Sequence, residues 1–588
     1  MFTQAIAKIN KIGSLQASII ITIIGFVVCF TGLSSPFRND DTSQIVNALP
    51  VHSITHIRIF FESGTFYNGQ GLAPLTGIYF RPLETTFYSL IYTIAGAHPF
   101  AYHLCQLLLC IASAFILYLV FKYSFKALLA LLLAIIFLIH PLNSQVVYAI
   151  PQFSDALFFF FGILAIWLLL RFKSVKSLIP VALCLFLSLL SKETAVIFIA
   201  MAILYLFWFN RERLYKFFGI MVLPVALYLI LRINAVGLDR NFTSTPIDKL
   251  HLWGRLLTAP SIMQFYLTKF IFPWRLASGY YWVNPTFSVR HFLLPLFIDS
   301  AVVSLVVYLA FVIHKKASKE LFFSYMFFAI WALIGLIPYL QIAPVDMTAC
   351  ESWFYFSMVG WLGMIGIILV TFQSYIHPKW FVIIATVLIV IFGFRTAIRG
   401  LDWDNPISLD YKDIAASPED FIAYKNVSMY YFNQGNYDKA KVYAEKSIGI
   451  YPVGSNYDAL GVALTLLGNY PGAAQAFTTG MKYQDINILY ENRAAITGGY
   501  GTPAANTQFL LSAVNNFPQD PEIWFYLAIQ EYRDNNTGDA KIAISNAYDY
   551  RQYSGATPIS SEVISIIYSR IMSNSPLDVN FNPSSSPL

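Results

Sequence analysis

The feature that most constrains this chain is a series of apolar runs, each close to the roughly 20 residues a helix needs to cross the hydrocarbon core of a bilayer. About eleven can be traced, centred near residues 24, 110, 133, 163, 184, 202, 226, 303, 330, 362 and 387. So many long apolar segments leave the first 400 residues no water-soluble fold. Composition agrees: 57% of the 588 residues are hydrophobic and 12% are charged, against a usual charged share of about a quarter. A wholly soluble enzyme is excluded. Of the five cysteines, Cys29, Cys105, Cys110 and Cys184 fall in apolar runs and Cys350 stands alone, which is neither a disulfide framework nor a spaced zinc site.

The net charge of +6 conceals a split. Residues 401–588 carry 11 Lys+Arg against 19 Asp+Glu, a balance of −8, which leaves +14 for residues 1–400. Basic residues gather on the cytoplasmic side of membrane proteins. Lys8 and Lys11 precede the first run and no small-residue cleavage pattern follows it, so it reads as a retained anchor with its N-terminus inside. Alternation from there makes the inner loops those with Lys122 and Lys126; Arg171, Lys173 and Lys176; Arg211, Arg213 and Lys216; Lys315, Lys316 and Lys319; and Lys379. Each is short and basic. This requires 178–190 and 194–209 to be two passes joined by Ser191-Lys192-Glu193. The outer face then holds 34–97, 140–154, 191–193, 237–290, 339–352 and everything after about 396. Loops as long as 34–97 and 237–290 are usually functional, and short interfacial helices are expected at 85–96 and 256–272.

Beyond Arg399 hydropathy falls and a period of 33–34 residues emerges. Gly435-Asn436-Tyr437 with Ala440 recurs as Gly468-Asn469-Tyr470 with Ala473 and Phe477, after Leu460-Gly461. Trp524, Leu527, Ala528, Ala540 and Ala547 continue the pattern, and a degenerate unit about Tyr490, Ala494 and Gly501 fits between. Roughly four helix–turn–helix units of the tetratricopeptide kind follow, enough to bury a shared core. Singly these residues are packing; the groove between stacked units is what holds peptides or partner proteins. The expected fold is all-α: a polytopic membrane bundle over 1–400, a repeat solenoid over 401–575, and a disordered Ser/Pro-rich tail over 576–588, including Asn582–Leu588.

Ionisable residues at a membrane face are costly unless paired or used. Asp40-Asp41 follows the first span closely. Two adjacent carboxylates suit acceptor activation, one taking a proton from a hydroxyl while the other orients it or raises its pKa; a solvated loop or a helix cap would hold the same pair. Arg81 in Tyr79-Phe80-Arg81-Pro82-Leu83 offers a fork for phosphate or snorkels at the interface. Lys192-Glu193, in a narrow turn, must pair with each other or face a polar cavity. Glu351 and Asp155 enter spans from outside, and His103 and His140 lie near span ends, where hydrogen-bonded structural histidines are common. No metal spacing and no nucleotide-binding Gly-rich loop occurs.

Taken in order, these segments resemble the transmembrane and tetratricopeptide-repeat-containing O-mannosyltransferases and their bacterial relatives, in the GT-C class of glycosyltransferases that use polyprenyl-phosphate sugars. The resemblance is carried by Asp40-Asp41, Phe80-Arg81-Pro82-Leu83, His98-Pro99-Phe100-Ala101-Tyr102-His103-Leu104, His140-Pro141-Leu142-Asn143 through Asp155, Leu190-Ser191-Lys192-Glu193, and Ile337-Pro338 through Glu351 before Trp353-Phe354-Tyr355. It implies that Asp40 or Asp41 is the catalytic base or the carboxylate that orients the acceptor, that Arg81 and Lys192 touch the donor phosphate, and that Glu193 and Glu351 shape the site. Asp155 and His103 belong to the same substrate-binding set. Two departures stand out: Ser352 where the family has arginine, and Ser154 where a basic residue is common. Arg255 or Arg275 is then the candidate substitute phosphate contact.

The implied reaction needs no metal, though Asp40-Asp41 leaves room for a divalent ion. The implied partners are a lipid-linked sugar and a protein Ser/Thr or envelope-glycan acceptor docked on the repeats, with no role for nucleic acid. A non-catalytic membrane scaffold, a transporter and an oligosaccharide ligase are the competing readings; the transporter lacks duplicated halves broken by Gly or Pro, and the ligase needs its long loop late among the spans. Sequons at Asn241, Asn426 and Asn535 fall on the outer face. The compartment expected is a bacterial inner membrane with periplasmic repeats; the alternative is the endoplasmic reticulum with lumenal repeats.

Overall fold

The computed structural model describes residues 12–38, 40–66, 75, 77–238, 245–375, 378–551 and 559–577. Lys8 and Lys11, the Asn241 sequon and the Asn582–Leu588 tail lie outside them. Among the described residues there is no strand, only an isolated antiparallel bridge between Tyr280 and Ala349. By contacts the chain divides into two compact units: Met1–Asp41, Ser53–Thr65 and Gly77–Lys412 make one, and Thr42–His52, Phe66–Thr76 and Asp413–Leu588 the other.

In the first unit every apolar run is helical. Among the described residues, eight helices are long and apolar enough to cross a membrane: Ser14–Gly32, Pro99–Phe121, Ile150–Arg171, Arg211–Val236, Val289–Lys316, Lys319–Tyr339, Glu351–Thr371 and Lys379–Asp404. The run near 133 is a bent pair, Ala127–Ile139 with Pro141–Tyr148, turned by 49°. Pro141 has no N–H to continue the ladder, and His140 Nδ1 instead accepts from Leu142 N at 3.2 Å. The runs near 184 and 202 are shorter helices, Leu178–Ser191 and Glu193–Phe209, separated by the extended backbone of Lys192 (φ −160°, ψ 137°). Helices over Pro82–Ala95 and Leu252–Ile271 lie in the two long loops, each starting a few residues earlier than expected; in the first, Pro82 fits the opening helical turn.

Glycine sets the closest approaches. A Cβ on Gly360 would stand 2.3 Å from Ala332 N and 2.5 Å from Phe328 O, and one on Gly363 2.3 Å from the Phe328 ring. The helices Lys319–Leu336 and Tyr355–Thr371 therefore touch backbone to backbone, the small-residue packing that membranes favour where no water drives burial. Because the obstructing atoms at Gly360 are backbone, Gly360→Val is expected to destabilise the first unit by about 1–3 kcal/mol or more, read as a lower melting temperature in detergent; an unchanged melt would refute the packing.

The second unit contains paired helices: Phe421–Asn433 with Tyr437–Ile450, Gly454–Leu466 with Tyr470–Tyr483, Asn487–Ala495 with Pro503–Asn516, and Pro521–Arg533 with Thr537–Tyr550, then Ser561–Met572. The Gly-Asn-Tyr turns work as one device. Gly435 and Gly468 end a helix at φ 70° and 75°, the left-handed region that favours glycine. Asn436 and Asn469 then cap the next helix, accepting from Lys439 N and Gly472 N at 3.1 Å each. Ala473, Phe477, Leu489, Leu527, Ala528, Ala540 and Ala547 all enter one core, where Gly461 leaves room for the Phe477 ring.

Candidate functional site

The first unit assembles three groups of charge. The loop after the first helix supplies one. Asp40 is exposed and Asp41 is buried. Arg38 N donates to Asp41 Oδ2 at 2.8 Å and Asp41 N to Arg38 O at 2.7 Å, while Asp41 Oδ1 is buried with no hydrogen-bond partner. Burial pushes the Asp41 carboxyl up to about 8; the backbone N–H of Arg38 opposes this, and the charge of Asp40 adds to it. A carboxyl with that affinity for protons is poised to exchange one near neutral pH. Arg38 itself is held from the far end of the unit: its guanidinium donates to Pro406 O at 2.6 Å, lies 3.8 Å from Asp410 and sits 5.7 Å over the Trp403 ring.

The second group surrounds Arg81, at the entrance to Pro82–Ala95. The guanidinium lies 3.9 Å from Glu84, 3.5 Å from Glu193 and 3.2 Å from Ser154 Oγ, to which it donates. Glu193 Oε1 accepts from Phe80 N at 2.8 Å. Tyr79 stacks under Arg81 at 4.5 Å and donates to Asp346 at 2.7 Å. Burial raises the Glu84 carboxyl to about 7 against the pull of Arg81. Lys192 does not pair with its neighbour Glu193: its ammonium donates to both oxygens of Asp155 at 2.7 Å. An extended residue sends adjacent side chains to opposite sides, so Lys192 and Glu193 serve different partners. Arg81 and Lys192 thus face three carboxyls, Glu84, Asp155 and Glu193, before any ligand arrives.

The third group was only partly legible in the sequence. Glu351 Oε1 accepts from Ala277 N and Tyr280 Oη, each at 2.8 Å. The charges of Lys269, Arg395 and Arg399 act on it, and those of Arg275, Arg395 and Arg399 act on Lys269. Lys269 donates to Arg275 O, Arg395 to Trp274 O at 3.0 and 3.2 Å, and Arg399 lies 3.7 Å from Asp402. Arg399 also lies 6.0 Å over Trp403, the ring that Arg38 covers from the loop bearing Asp41. The missed signal was Arg395-x3-Arg399, two cations one turn apart at the end of an otherwise apolar helix.

The remaining candidates are occupied. His103 Nε2 meets Ser35 O at 3.1 Å, and His140 Nε2 meets Phe270 O at 3.0 Å, so both tie loops together. Arg255 is spent on the carbonyls of Leu250, Gln341 and Ile342 at 2.5–3.4 Å, which leaves it bracing a loop. Ser352 N donates to Gln145 Oε1 at 3.1 Å. Among the described residues no three His, Cys, Asp or Glu side chains come together to hold a metal.

Residues 82–234 match the family model for dolichyl-phosphate-mannose-protein mannosyltransferase. The resemblance to that family of membrane glycosyltransferases holds there. The matched stretch is about a quarter of the chain, and it contributes Glu84, His103, Asp155, Lys192 and Glu193. Among curated proteins no sequence match was found. Among solved structures, ArnT from Cupriavidus metallidurans bound to undecaprenyl phosphate is similar at 12% identity and a TM-score of 0.32, with 86% of this chain and 80% of that one covered. AglB from Archaeoglobus fulgidus, an oligosaccharyltransferase in complex with an inhibitory peptide and a dolichol-phosphate, is similar at 14% identity and 0.35, with 75% of this chain and 60% of that one covered. The APC/C hetero-tetramer Cut9–Hcn1 is similar at 12% identity and 0.25, with 84% and 90% covered.

Proposed function

We propose that this protein moves a sugar from a polyprenyl-phosphate donor to a hydroxyl group of a protein Ser/Thr or an envelope glycan, on the outer face of a bacterial inner membrane. The observation that carries the reading is Asp41. It is a buried carboxyl with one oxygen unpartnered and its pKa raised to about 8, in the same unit as a segment that matches a mannosyltransferase model. In the reaction, Asp41 accepts the acceptor hydroxyl's proton as the hydroxyl oxygen bonds to the anomeric carbon. The bond from that carbon to the phosphate oxygen breaks, and its electron pair leaves with polyprenyl phosphate. Attack opposite to the leaving oxygen inverts the anomeric centre. Arg38 orients the carboxylate, while Arg81, Asp155, Lys192, Glu193, Glu351 and His103 hold the surrounding loops in register.

The repeats dock the acceptor in this reading, supported by the groove that stacked helix pairs create. Catalysis at Asp41 and docking on 413–588 require one aqueous space for both. Tags introduced near residue 45 and at residue 588 should react with the same impermeant reagent from the same side of sealed vesicles; opposite sides would sink the proposal. Mass spectrometry of envelope proteins from cells with and without the gene should show hexose or related additions on Ser/Thr that vanish with it.

A further inference from the structure

At the other end of Leu178–Ser191 from Lys192, a buried cation takes no part in the three groups above. Arg213, in the first turn of Arg211–Val236, is 3% exposed. Its Nη2 donates to Ser177 Oγ at 3.2 Å, while Nε and Nη1 are buried with no hydrogen-bond partner. Those two nitrogens carry three of the five guanidinium N–H donors. The charge that acts on Arg213 is that of the Tyr205 phenol and not of a carboxylate. A buried guanidinium without an anion is costly, and an ionisable side chain kept at membrane depth marks a place where something binds.

The surroundings of Arg213 are built and positive. Ser177 is fixed in a turn, its Oγ donating to Ser174 O at 2.7 Å and its N–H to Ser174 Oγ at 3.3 Å. The same turn carries Arg171, Lys173 and Lys176, all exposed. Lys173 Nζ donates at 2.9 Å to the hydroxyl of Tyr205, the phenol whose charge reaches Arg213. Arg211 is exposed and lies 4.8 Å over the Phe207 ring. Against these cations, residues 171–178 and 205–217 contain one carboxyl, Glu212, and Lys216 takes it at 2.6 Å. Both stretches are basic loops assigned to the inner face.

Leu178–Ser191 and Arg211–Val236 both begin here and pack on each other. Outward they show Ile179 and Leu183, 63% and 56% exposed, and Phe218 and Val222, 47% and 66% exposed. The members of each pair are four residues apart and share a helix face, so each helix presents an apolar stripe that starts beside the cations. Acyl chains cover such stripes, a phosphate matches the fork of a guanidinium, and basic pockets between helices at the cytoplasmic surface suit anionic headgroups.

We propose that Arg213, Ser177 and the turn 171–176 form a binding site for the headgroup phosphate of an anionic membrane lipid of the inner leaflet. Arg213 supplies the inner donors, Lys173 and Arg211 stand at the rim, and the acyl chains run along the stripes of Ile179 with Leu183 and Phe218 with Val222. The crowd of cations sets the preference: a choline headgroup brings a positive charge among them, whereas a glycerol headgroup leaves the phosphate charge uncompensated for Arg213 to meet. The site stands apart from the sugar transfer proposed above and does not depend on it.

The test is binding of dioleoyl phosphatidylglycerol, against dioleoyl phosphatidylcholine, to the full-length protein in detergent, read as lipid retained in native mass spectrometry and as a shift in melting temperature. The wild type should retain phosphatidylglycerol in preference and melt higher with it. Arg213→Gln is expected to weaken retention about 10- to 100-fold, the range for loss of one charge-assisted contact. Lys173→Gln combined with Lys176→Gln should weaken it about 5- to 30-fold, the joint share of two cations at an anionic headgroup; this exposed pair secures the comparison should Arg213→Gln fail to fold. Lys315→Gln combined with Lys316→Gln, on another basic loop, should bind as the wild type does. Equal retention of the two lipids by the wild type overturns the inference, as does wild-type affinity in Arg213→Gln or, where that variant is unfolded, in the Lys173 and Lys176 pair. A loss in the Lys315 and Lys316 pair as large as in the Lys173 and Lys176 pair overturns it too, because the attraction then belongs to any basic loop. Displacement of the lipid by inorganic phosphate at equal concentration overturns the role of the acyl chains and with it the lipid assignment.

Discussion

Asp41→Asn is expected to lower sugar transfer by about 10²–10⁴-fold, the usual contribution of a positioned general base, while leaving the fold intact or firmer. Asparagine keeps an oxygen that can accept from Arg38 N, now bonded to Asp41 Oδ2 at 2.8 Å, but it cannot take a proton. The sign of the stability effect follows from the direction of the pKa. In the unfolded chain an aspartate titrates near its ordinary value of about 3.9; in the fold Asp41 is raised to about 8. Its contribution is fully present below the unfolded value and is lost as pH rises through the folded one. The wild type should therefore melt progressively lower between pH 4 and 8 for this reason, and the asparagine variant should not share that loss. Wild-type kcat/KM should climb with pH through about 8, since only the ionised carboxyl accepts a proton. A purely structural Asp41 would give the reverse: a destabilised variant with transfer preserved in whatever remains folded. A non-catalytic scaffold predicts no dependence on this residue in either assay.

The second large effect concerns Lys192 and Asp155. The ammonium and carboxylate meet at 2.7 Å, with side chains only 7% and 1% exposed. Removing one partner strands the other charge away from water, which costs about 3–5 kcal/mol. Lys192→Met should accordingly lower the melting temperature of the first unit sharply. Lys192→Met combined with Asp155→Leu removes both charges and replaces them with apolar volume, so the double variant should recover most of the loss. The coupling between the two, read as a double-mutant cycle, should be the dominant energy. If Lys192→Met melts like the wild type, the pair is not the brace described, and Lys192 returns as a candidate contact to substrate.

What the sequence disclosed, and what it hid, divides along physical lines. Apolar runs were legible because a bilayer demands length, and no tertiary context changes that demand. The Gly-Asn-Tyr turns were legible because a left-handed C-terminal residue followed by an Asn cap is local chemistry. Asp40 and Asp41 could not be told apart, since neighbours in sequence differ only in which way the backbone turns them; the fold buries one and exposes the other. Lys192 and Glu193 looked like a pair for the same reason and are not. The hydrogen bonds from Tyr79 to Asp346 and from Ser154 N to Glu84 gave no signal, because they join residues far apart in sequence. The cation group was hidden by its spread: Lys269 and Arg275 come from a long loop, Arg395 and Arg399 from the end of the last apolar helix. Only folding puts them together.

The central claim is that Asp41 drives sugar transfer from a lipid phosphate. Its most direct measurement uses full-length protein in lipid nanodiscs with radiolabelled polyprenyl-phosphate mannose and a Ser/Thr-containing peptide. The account predicts acceptor-dependent release of polyprenyl phosphate, labelled peptide with inverted anomeric configuration, and loss of both in Asp41→Asn. Equal product from the wild type and Asp41→Asn, or retained configuration in the product, would contradict it.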